Sequence, residues 1–260
     1  MIRSLWTSAT GMIAQQLNID VIANNLANVN TSGFKKSRPE FEDLLYQTQQ
    51  AAGGPTPQGG TVPTGMQVGM GVRTASVHKV FTQGDYQNTG NPLDLAIEGD
   101  GFFEVDMNGV QAYTRAGSFK LNEDGVITTN SGHALQPEFS VPAETKNIVV
   151  NQQGHISALD AAGNEIAAAD IPVFTFINPA GLNSIGRNLY LPTEASGDAE
   201  QGIPGNDNVG TVGQGFLEMS NVQLVDEMVN MIVGQRAFEI NSKSIKTSDE
   251  MLQIANQLKR

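Results

Sequence analysis

The chain has 260 residues, of which 39% are hydrophobic, and it contains no cysteine. This length is sufficient for one large or two modest domains, and the absence of cysteine excludes disulfides, thiolate metal sites and cysteine nucleophiles. No window approaches the length of apolar sequence that spans a membrane, and no small-residue cleavage site follows the apolar N-terminus. We therefore predict neither a transmembrane helix nor a cleaved secretory signal.

The net charge of −12 is concentrated in the middle of the chain. Residues 71–216 carry 6 Lys and Arg against 17 Asp and Glu, a net charge of −11, whereas the two ends together carry 9 against 10, a net charge of −1. The acidic middle argues against nucleic-acid binding, because such partners are themselves negatively charged. The nearly neutral ends can pack against copies of themselves without a large charge penalty.

An amphipathic helix is predicted at the N-terminus, because apolar residues recur at heptad spacing from residue 2 onward. The helix should end at residues 28–33, where Asn, Thr, Ser and Gly supply capping and turn chemistry. The predicted packing seam of this helix consists of Ile2, Leu5, Met12, Ile19 and Leu26.

The end of this helix is rich in asparagine, in the segment ANNLANVNTSGFK at residues 23–35. Asparagine is a mediocre helix former because its amide competes for nearby backbone groups. We predict that the amides of Asn24, Asn25 and Asn28 fix the register among packed helices, and that residues 30–33 turn the chain outward. The alternative, a purely capping and turning role, explains the later asparagines well and the first two poorly.

Residues 47–71 read QTQQAAGGPTPQGGTVPTGMQVGMG, a segment rich in Gly, Pro, Gln and Thr and poor in charge. This composition predicts an extended or disordered connection. A second stretch rich in Gly, Asn and Asp, residues 196–215, leads back to the C-terminal part of the chain.

Strands and turns are predicted between these two stretches. Asn108-Gly109 lies between apolar runs as a hairpin signal, and related turns follow at residues 122–125 and 151–154. Together these signals predict a meandering antiparallel β domain. Its predicted strands are residues 102–105, 148–150 and 172–177.

A longer helix is predicted at the C-terminus, from residue 221 to residue 258, after an N-cap at Ser220 or Asn221. Further apolar residues lie off the seams of both helices, so each helix has more than one apolar face. One interpretation is an antiparallel coiled coil that closes a domain within the chain. The other is that the paired helices also pack against neighbouring subunits. The seam residues of this helix fall seven apart, at Leu224, Met231, Phe238, Ile245 and Leu252.

Signals for catalysis, cofactors and metals are weak. His78, His133 and His155 lie in separate segments without metal-ligand spacing, and no pair of glycines is completed to a dinucleotide-binding loop. Residues 122–125 resemble part of a calcium loop but lack its closing glutamate. We predict no catalytic site, no cofactor and no metal. A carbohydrate hydrolase built from carboxylates of the β domain and a secreted adhesin or binding module stay open as alternatives.

Three ordered motifs resemble the rod and hook axial proteins of the bacterial flagellum. They are ANNLANVNTSGFK near the start, EGDGFFEV followed by AYTRAGSFKLNEDG in the middle, and EMSNVQLVDEMVNMIVGQRAFEINSKSIKTSDEMLQ near the end. The resemblance spans essentially the whole chain. Within this family, the chain is most similar to the distal rod member. The similarity lies in the length of the chain, the opening MIRSLW and the segments FEDLLYQ and SIGRNLY. A hook protein typically carries a larger middle.

This resemblance implies an α+β fold in which long N- and C-terminal helices pair as a coiled coil around an axial channel, with a β-rich antiparallel domain inserted between them. The implied division of the chain is a discontinuous helical domain at residues 1–33 and 217–260, an arm and connecting segments at residues 34–84 and 186–216, and an outer β domain at residues 85–185.

The resemblance also implies a function, that of a structural subunit of the distal rod. Such a subunit is exported unfolded by the flagellar type III apparatus without a cleaved signal, and it assembles into a rigid helical tube that crosses the periplasm to the outer membrane and transmits torque to the hook. The implied partners are copies of the chain itself, proximal rod proteins, the hook or hook-rod junction, and the P-ring and L-ring proteins. The alternative within the family is a proximal rod protein.

Two sets of residues receive roles from this resemblance, and the acidic middle receives a third as a surface that faces the ring proteins. The predicted assembly motif at the end of the first helix consists of Asn24, Asn25, Leu26, Asn28, Asn30, Gly33 and Phe34. The predicted intersubunit arm, which makes the rod stiff, contains Tyr46, Gly53, Gly54, Pro55, Pro57, Gly59, Gly60, Pro63 and Gly65.

Overall fold

Two α-helices stand at the ends of the described chain, and twenty β-strands lie between them. The structure, a computed structural model, describes residues 2–53, 63–206 and 209–257. The terminal helices and the antiparallel β-rich middle that the sequence predicts are confirmed. Within the described residues, neither helix is long and apolar enough to cross a lipid bilayer.

The chain divides into two compact units. The helical unit comprises Met1–Leu26, Ser37–His78 and Leu224–Arg260, and the β unit comprises Ala27–Lys36 and Lys79–Gln223. The division of the chain that the sequence analysis gave, with its boundaries near residues 33, 84, 185 and 217, stays a prediction.

The helices are α1, Ile2–Ala27, and α2, Leu224–Gln257. α1 ends immediately before the Asn- and Gly-containing turn, as predicted. The predicted N-cap of α2 at Ser220 or Asn221 is wrong, because α2 begins only at Leu224. Asn221 has other partners: its Nδ2 donates to the carbonyl oxygen of Val80 across 2.9 Å, and its Oδ1 accepts from the backbone N–H of Lys36 across 2.8 Å.

Four strands belong to the helical unit, the last of them as far as His78. β1 pairs with β4, and β2 forms an antiparallel ribbon with β3. These strands are β1 Ser37–Asp43, β2 Tyr46–Gln50, β3 Met66–Gly69 and β4 Val72–Lys79.

The β unit contains the other sixteen strands, and neighbouring strands within its sheets are antiparallel. They are β5 Tyr86–Asn88, β6 Leu95–Glu98, β7 Phe103–Met107, β8 Val110–Thr114, β9 Phe119–Leu121, β10 Ile127–Thr129, β11 Ala134–Leu135, β12 Asn147–Val150, β13 His155–Leu159, β14 Glu165–Asp170, β15 Val173–Thr175, β16 Asn183–Gly186, β17 Leu189–Leu191, β18 Glu200–Gly202, β19 Thr211–Gln214 and β20 Phe216–Glu218. The largest sheet has the order β16-β17-β8-β7-β11-β10-β9, and a three-stranded sheet has the order β12-β13-β14.

The predicted hairpin and turns are confirmed by the backbone. Asn108 and Gly109 both have positive φ angles, 55° and 87°, which the tight turn between β7 and β8 requires. Gly125 and Gly154 also adopt positive φ, at 77° and 78°, in the two later turns. The predicted strands correspond to β7, β12 and β15, with ends shifted by one or two residues.

The β unit buries its own apolar side chains in two clusters. The larger cluster lies among the sheets and includes Phe103, Val105, Ile127, Ile156 and Val173. The smaller one is aromatic, with ring centroids 4.9–5.9 Å apart in edge-to-face contacts, which favour such pairs beyond the area that they bury. Its rings are Phe102, Tyr113, Phe174, Phe176 and Tyr190.

Strands from late in the chain complete the β unit. β19 pairs with β6, and β20 pairs with β5, although more than a hundred residues separate the partners. The resemblance implied connecting segments at residues 186–216, and this boundary stays a prediction. In the structure they contribute β17, β18 and β19 to sheets.

Candidate assembly surfaces

The two helices contact each other along a narrow line of small and polar side chains. The Oγ atoms of Ser4 and Ser248 lie 3.1 Å apart, and the Ser8 hydroxyl donates to the Ser244 hydroxyl across 3.1 Å. Residue numbers rise along α1 as they fall along α2, so the helices run antiparallel. Hydroxyl pairs of this kind hold the helices together with little burial of apolar surface.

The predicted apolar seam adjoins this contact line at Ile19, whose Cγ1 would lie 3.3 Å from a Cβ added to Gly234. The side chains that the structure buries on the helices are Ser8, Ala14, Ile22, Asn25, Glu227, Gly234 and Ser248. None of the predicted seam residues is among them. The predicted seam, whose packing against neighbouring copies stays a prediction, consists of Ile2, Leu5, Met12, Ile19, Leu26, Leu224, Met231, Phe238, Ile245 and Leu252.

Large apolar side chains are exposed on both helices. Ile13 on α1 is 66% exposed, and Val225 and Ile240 on α2 are 70% and 68% exposed. Large apolar side chains clustered on exposed helix faces are typical of an interaction surface. We call these residues the apolar helix surface. They are Ile2, Trp6, Ile13, Leu224, Val225, Met228, Val229, Ile232, Val233, Phe238, Ile240, Met251 and Ile254.

Asn25 of the predicted assembly motif is buried and makes its contacts within the chain. Its Oδ1 accepts from the backbone N–H of Ser37, and its Nδ2 donates to the backbone carbonyl of Ser37, both across 2.9 Å. The Nδ2 group also lies 3.5 Å from Oε2 of Glu227 on α2. The amide thus forms hydrogen bonds with both backbone groups of Ser37, as a neighbouring β-strand would. This explains why an asparagine occurs inside a helix.

The other motif residues lie at the turn that follows α1. The Thr31 hydroxyl donates to Oδ1 of Asn28 across 3.2 Å, as expected of a turn asparagine. Gly33 has a φ of 70°, and a Cβ there would lie 2.5 Å from the backbone nitrogen of Ala116, so this position requires glycine. Phe34 is buried, with the Lys79 ammonium 4.7 Å from the centre of its ring.

Of the remaining motif residues, Leu26 is half-buried, and Asn24 and Asn30 are exposed. A role of Asn24 and Asn28 in register between packed helices of different subunits stays a prediction.

A buried ion triad lies at the centre of the β unit. The Lys35 ammonium donates to Oε1 of Glu218 across 2.6 Å, and Nε of Arg115 donates to Oε2 of the same carboxylate across 2.7 Å. The backbone N–H of Gly84 also donates to Oε1, across 2.9 Å. The second partner of Lys35 is the carbonyl oxygen of Thr82, at 2.8 Å. All three charged side chains are at least 96% buried.

The triad satisfies its remaining polar atoms with the backbone. The guanidinium of Arg115 donates to the carbonyl oxygens of Gly99 and Gly101. Burial lowers the pKa of Lys35 below its ordinary value, although the adjacent Glu218 carboxylate acts in the opposite direction. A single carboxylate therefore serves two buried cations, and neither has another carboxylate in direct contact in the described chain.

Sequence reasoning missed this triad, although each member lies in one of the motifs that carry the family resemblance. Lys35 ends ANNLANVNTSGFK, Arg115 lies in AYTRAGSFKLNEDG, and Glu218 begins EMSNVQ. The signal was present as one charged residue in each motif. Their pairing was not visible because 183 residues separate Lys35 from Glu218 and 103 separate Arg115 from Glu218.

The described part of the predicted arm contains an exposed ribbon, β2 with β3. All residues of β2 are exposed, and Leu45, which precedes it, is 88% exposed. Tyr46 begins β2 and faces Gly69, where an added Cβ would lie 3.4 Å from its ring. Gly53, Pro63 and Gly65 lie between the two strands in sequence and are exposed. The other predicted arm residues, Gly54, Pro55, Pro57, Gly59 and Gly60, lie outside the described residues.

Two carboxylates of the β domain, Asp94 and Asp106, accept hydrogen bonds from nearby residues. The Thr89 hydroxyl and Nδ2 of Asn91 donate to Asp94, across 2.6 and 3.1 Å, and Asp106 accepts from the Gly109 backbone across 2.7 Å. These contacts are typical of turns.

The comparisons with known proteins connect three parts of the chain to one group of proteins. Residues 5–35 match the family described as flagella basal body rod protein. Residues 96–158 match the flagellar hook protein FlgE/F/G D1 domain, and residues 214–258 match the flagellar basal body rod FlgEFG protein C-terminal region.

Several relatives that match over the full length share the name FlgG. The chain is 50% identical to the flagellar basal-body rod protein FlgG of Borreliella burgdorferi over 264 aligned residues, which cover 100% of both chains. It is 45% identical to the FlgG protein of Caulobacter vibrioides over 260 residues, or 99% of each chain. It is 43% identical to that of Bacillus subtilis over 267 residues, or 100% of both chains.

Replacing Glu218 by glutamine should strongly destabilise the β unit. The substitution keeps the shape of the side chain but leaves Lys35 and Arg115 buried without a counter-ion, which costs about 3–5 kcal/mol. Urea unfolding of the purified chain, followed by near-UV circular dichroism of the buried tyrosines, measures this loss. The matched control is Asp170→Asn, which removes an exposed pair of the same 2.6 Å length with His155 and should change stability little. Equal losses in the two variants would contradict the role of the triad.

Proposed function

Because this chain belongs to the FlgG family of flagellar basal-body rod proteins, we propose that it is a structural subunit of the distal rod, which assembles with copies of itself into a rigid tube that transmits torque to the hook. The chain is a structural protein and not an enzyme. Its place is the basal-body rod, in assembly with other rod and basal-body components.

The apolar helix surface is the observation that carries the self-assembly. The β unit buries its own apolar clusters, whereas the helices touch each other through hydroxyls and amides and leave residues such as Ile13 and Val233 uncovered. Removal of apolar surface from water is the main favourable contribution to protein association. In a polymer, every subunit has neighbouring copies of the same chain, and these copies can cover the apolar helix surface.

The finer features of this function extend the proposal. The paired helices form a coiled coil that lines the axial channel, and the β unit faces outward. The rod crosses the periplasm to the outer membrane and contacts proximal rod proteins at one end and the hook or hook-rod junction at the other. The subunit reaches this position unfolded, through the type III export apparatus and without a cleaved signal.

Two further surfaces receive roles in this proposal. The exposed ribbon of β2 and β3, with Leu45 at its start, is an arm that contacts neighbouring subunits and stiffens the rod. The net charge of −11 over residues 71–216 gives the outer surface a uniform sign where it faces the P-ring and L-ring proteins. Uniform charge and few apolar patches limit adhesion to a ring within which the rod turns.

A double substitution on α2, Val233→Asp with Ile240→Asp, should prevent rod assembly. Both side chains are more than 60% exposed, so the isolated chain tolerates the charges, whereas an interface that buries them does not. The measurement is electron microscopy of basal bodies and swimming in soft agar, in a strain that lacks its own copy. Urea unfolding of the β unit should match that of the parent chain.

The matched control for this pair is Val149→Asp, which places a charge at a 45% exposed apolar residue of the β unit. Normal rods are expected in this control. Normal rods in the α2 double variant would refute self-assembly through the apolar helix surface.

Replacing Leu45 and Met66 by serine should lower the number or the straightness of rods without unfolding the monomer, because these exposed side chains flank the ribbon and touch little within the chain. The readout is the length and curvature of rods in electron micrographs. Thr48→Ser with Gln50→Asn, on the same strand, is the control and should resemble the parent. If both pairs resemble the parent, the arm makes no apolar contact with neighbours.

The triple variant Glu123→Gln, Asp124→Asn, Glu144→Gln should assemble rods but swim more slowly, since it removes three exposed negative charges from the β unit. The charge-conserving control exchanges Asp and Glu at the same three positions. Motility is measured as the rotation rate of tethered cells. Equal rates in the two variants would leave solubility as the role of the acidic surface.

A further inference from the structure

We propose that complementary residue sizes at the two central rungs of four between α1 and α2, with polar contacts at the two outer rungs, specify the antiparallel register of the two helices. A rung is a pair of residues that face each other across the contact line. The rungs recur every seven residues, with residues 4, 11, 18 and 25 of α1 facing residues 248, 241, 234 and 227 of α2. The inference rests on contacts within one chain, so it stands independently of the proposed function.

The second rung pairs a glycine of α1 with an asparagine of α2. A Cβ added to Gly11 would lie 3.0 Å from Nδ2 and 3.4 Å from Cγ of Asn241, so the larger side chain occupies the space that the glycine leaves. Contacts this short leave no room for a second side chain of similar size.

The third rung pairs the same two sizes in the opposite order. A Cβ added to Gly234 of α2 would lie 3.8 Å from Nδ2 of Asn18, and 3.3 Å from Cγ1 of Ile19 and 3.7 Å from Oε1 of Gln15. Both central rungs therefore combine one glycine with larger side chains: Asn241 at the second rung, and Ile19 together with Asn18 at the third, where Ile19 is the nearer of the two. Glycine in a helix interior is less stable than alanine, so its presence at both rungs needs a packing reason.

The outer rungs use polar contacts. Ser4 meets Ser248 at 3.1 Å, and Nδ2 of Asn25 approaches Oε2 of Glu227 at 3.5 Å. Asn25 is also bonded on both sides of its amide to Ser37, so its position is fixed. The four rungs together run along most of α1.

Size complementarity distinguishes this register from the two that lie one heptad away. Shifting α1 in one direction places Asn18 against Asn241, two side chains in the space for one. Shifting it in the other direction places Gly11 against Gly234, which leaves a void. Overpacking and voids both destabilise a contact. A heptad repeat of identical apolar residues does not discriminate among these registers, whereas alternating large and small residues do.

The test exchanges the sizes at one rung. Gly11→Asn alone puts two asparagines together, Asn241→Gly alone leaves two glycines, and the double variant restores one asparagine opposite one glycine. Register is read in the purified full chain from the rate of disulfide formation between Ser8→Cys and Ser244→Cys. These positions lie between rungs, their hydroxyls are 3.1 Å apart, and the parent chain has no other cysteine.

We expect Gly11→Asn to slow intramolecular crosslinking by about tenfold relative to the parent cysteine pair, because overpacking shifts the equilibrium by at least this factor. The exchanged double variant should recover most of the parent rate. Pairing Ser8→Cys with Ala237→Cys instead detects the shifted register, and its crosslinking should rise in Gly11→Asn. Calorimetric unfolding of the β unit, unchanged in all variants, excludes a general folding defect.

Two results would overturn the proposal. One is a parent-like crosslinking rate in Gly11→Asn, which would show that the rung tolerates any size. The other is a double variant as slow as Gly11→Asn alone, which would show that the substitution acts through helix propensity or other local effects. Because no rod is needed, either result leaves the assembly proposal to be judged by its own experiments.

Discussion

The carboxylate of Glu218 is the contact on which the β unit depends. It holds Lys35 from the segment after α1 and Arg115 from the turn after β8, at 2.6 and 2.7 Å, in an interior where none of these charges is stable alone. Three parts of the chain that are far apart in sequence meet there. Gly33 reinforces the same junction, since its backbone N–H donates to the carbonyl oxygen of Glu218 across 2.8 Å.

The helical unit follows a different physical principle. Its two helices meet through Ser, Gly, Asn and Glu, and this kind of contact is specific in geometry but contributes little hydrophobic stabilisation. Ala14 and Ile22 are buried, but many of the large apolar side chains of the helices, such as Ile13, Val225 and Ile240, are left exposed. The β unit thus buries apolar clusters of its own, whereas the helices leave apolar side chains exposed that a neighbouring copy would cover in the proposed rod.

Periodicity predicted the terminal helices, and turn chemistry predicted the hairpin at Asn108-Gly109, because both signals are local. The contact line between α1 and α2 was not predicted, because pattern analysis counts apolar residues and treats Ser4, Gly11 or Ser248 as surface. The ion triad and the pairing of β19 with β6 were also missed, because contacts between residues far apart in sequence produce no pattern in a local stretch of sequence. Asn25 was singled out as an unusual residue for a helix, but its partner Ser37 was not foreseen.

The late position of β19 and β20 has a consequence for timing. A chain synthesised from its N-terminus lacks the partners of β5 and β6, and the carboxylate for Lys35 and Arg115, until residues 211–218 have been made. Closing loops of this length is slow compared with local pairing. The nascent chain therefore stays open through most of translation, which lengthens the interval in which it can be captured and kept unfolded.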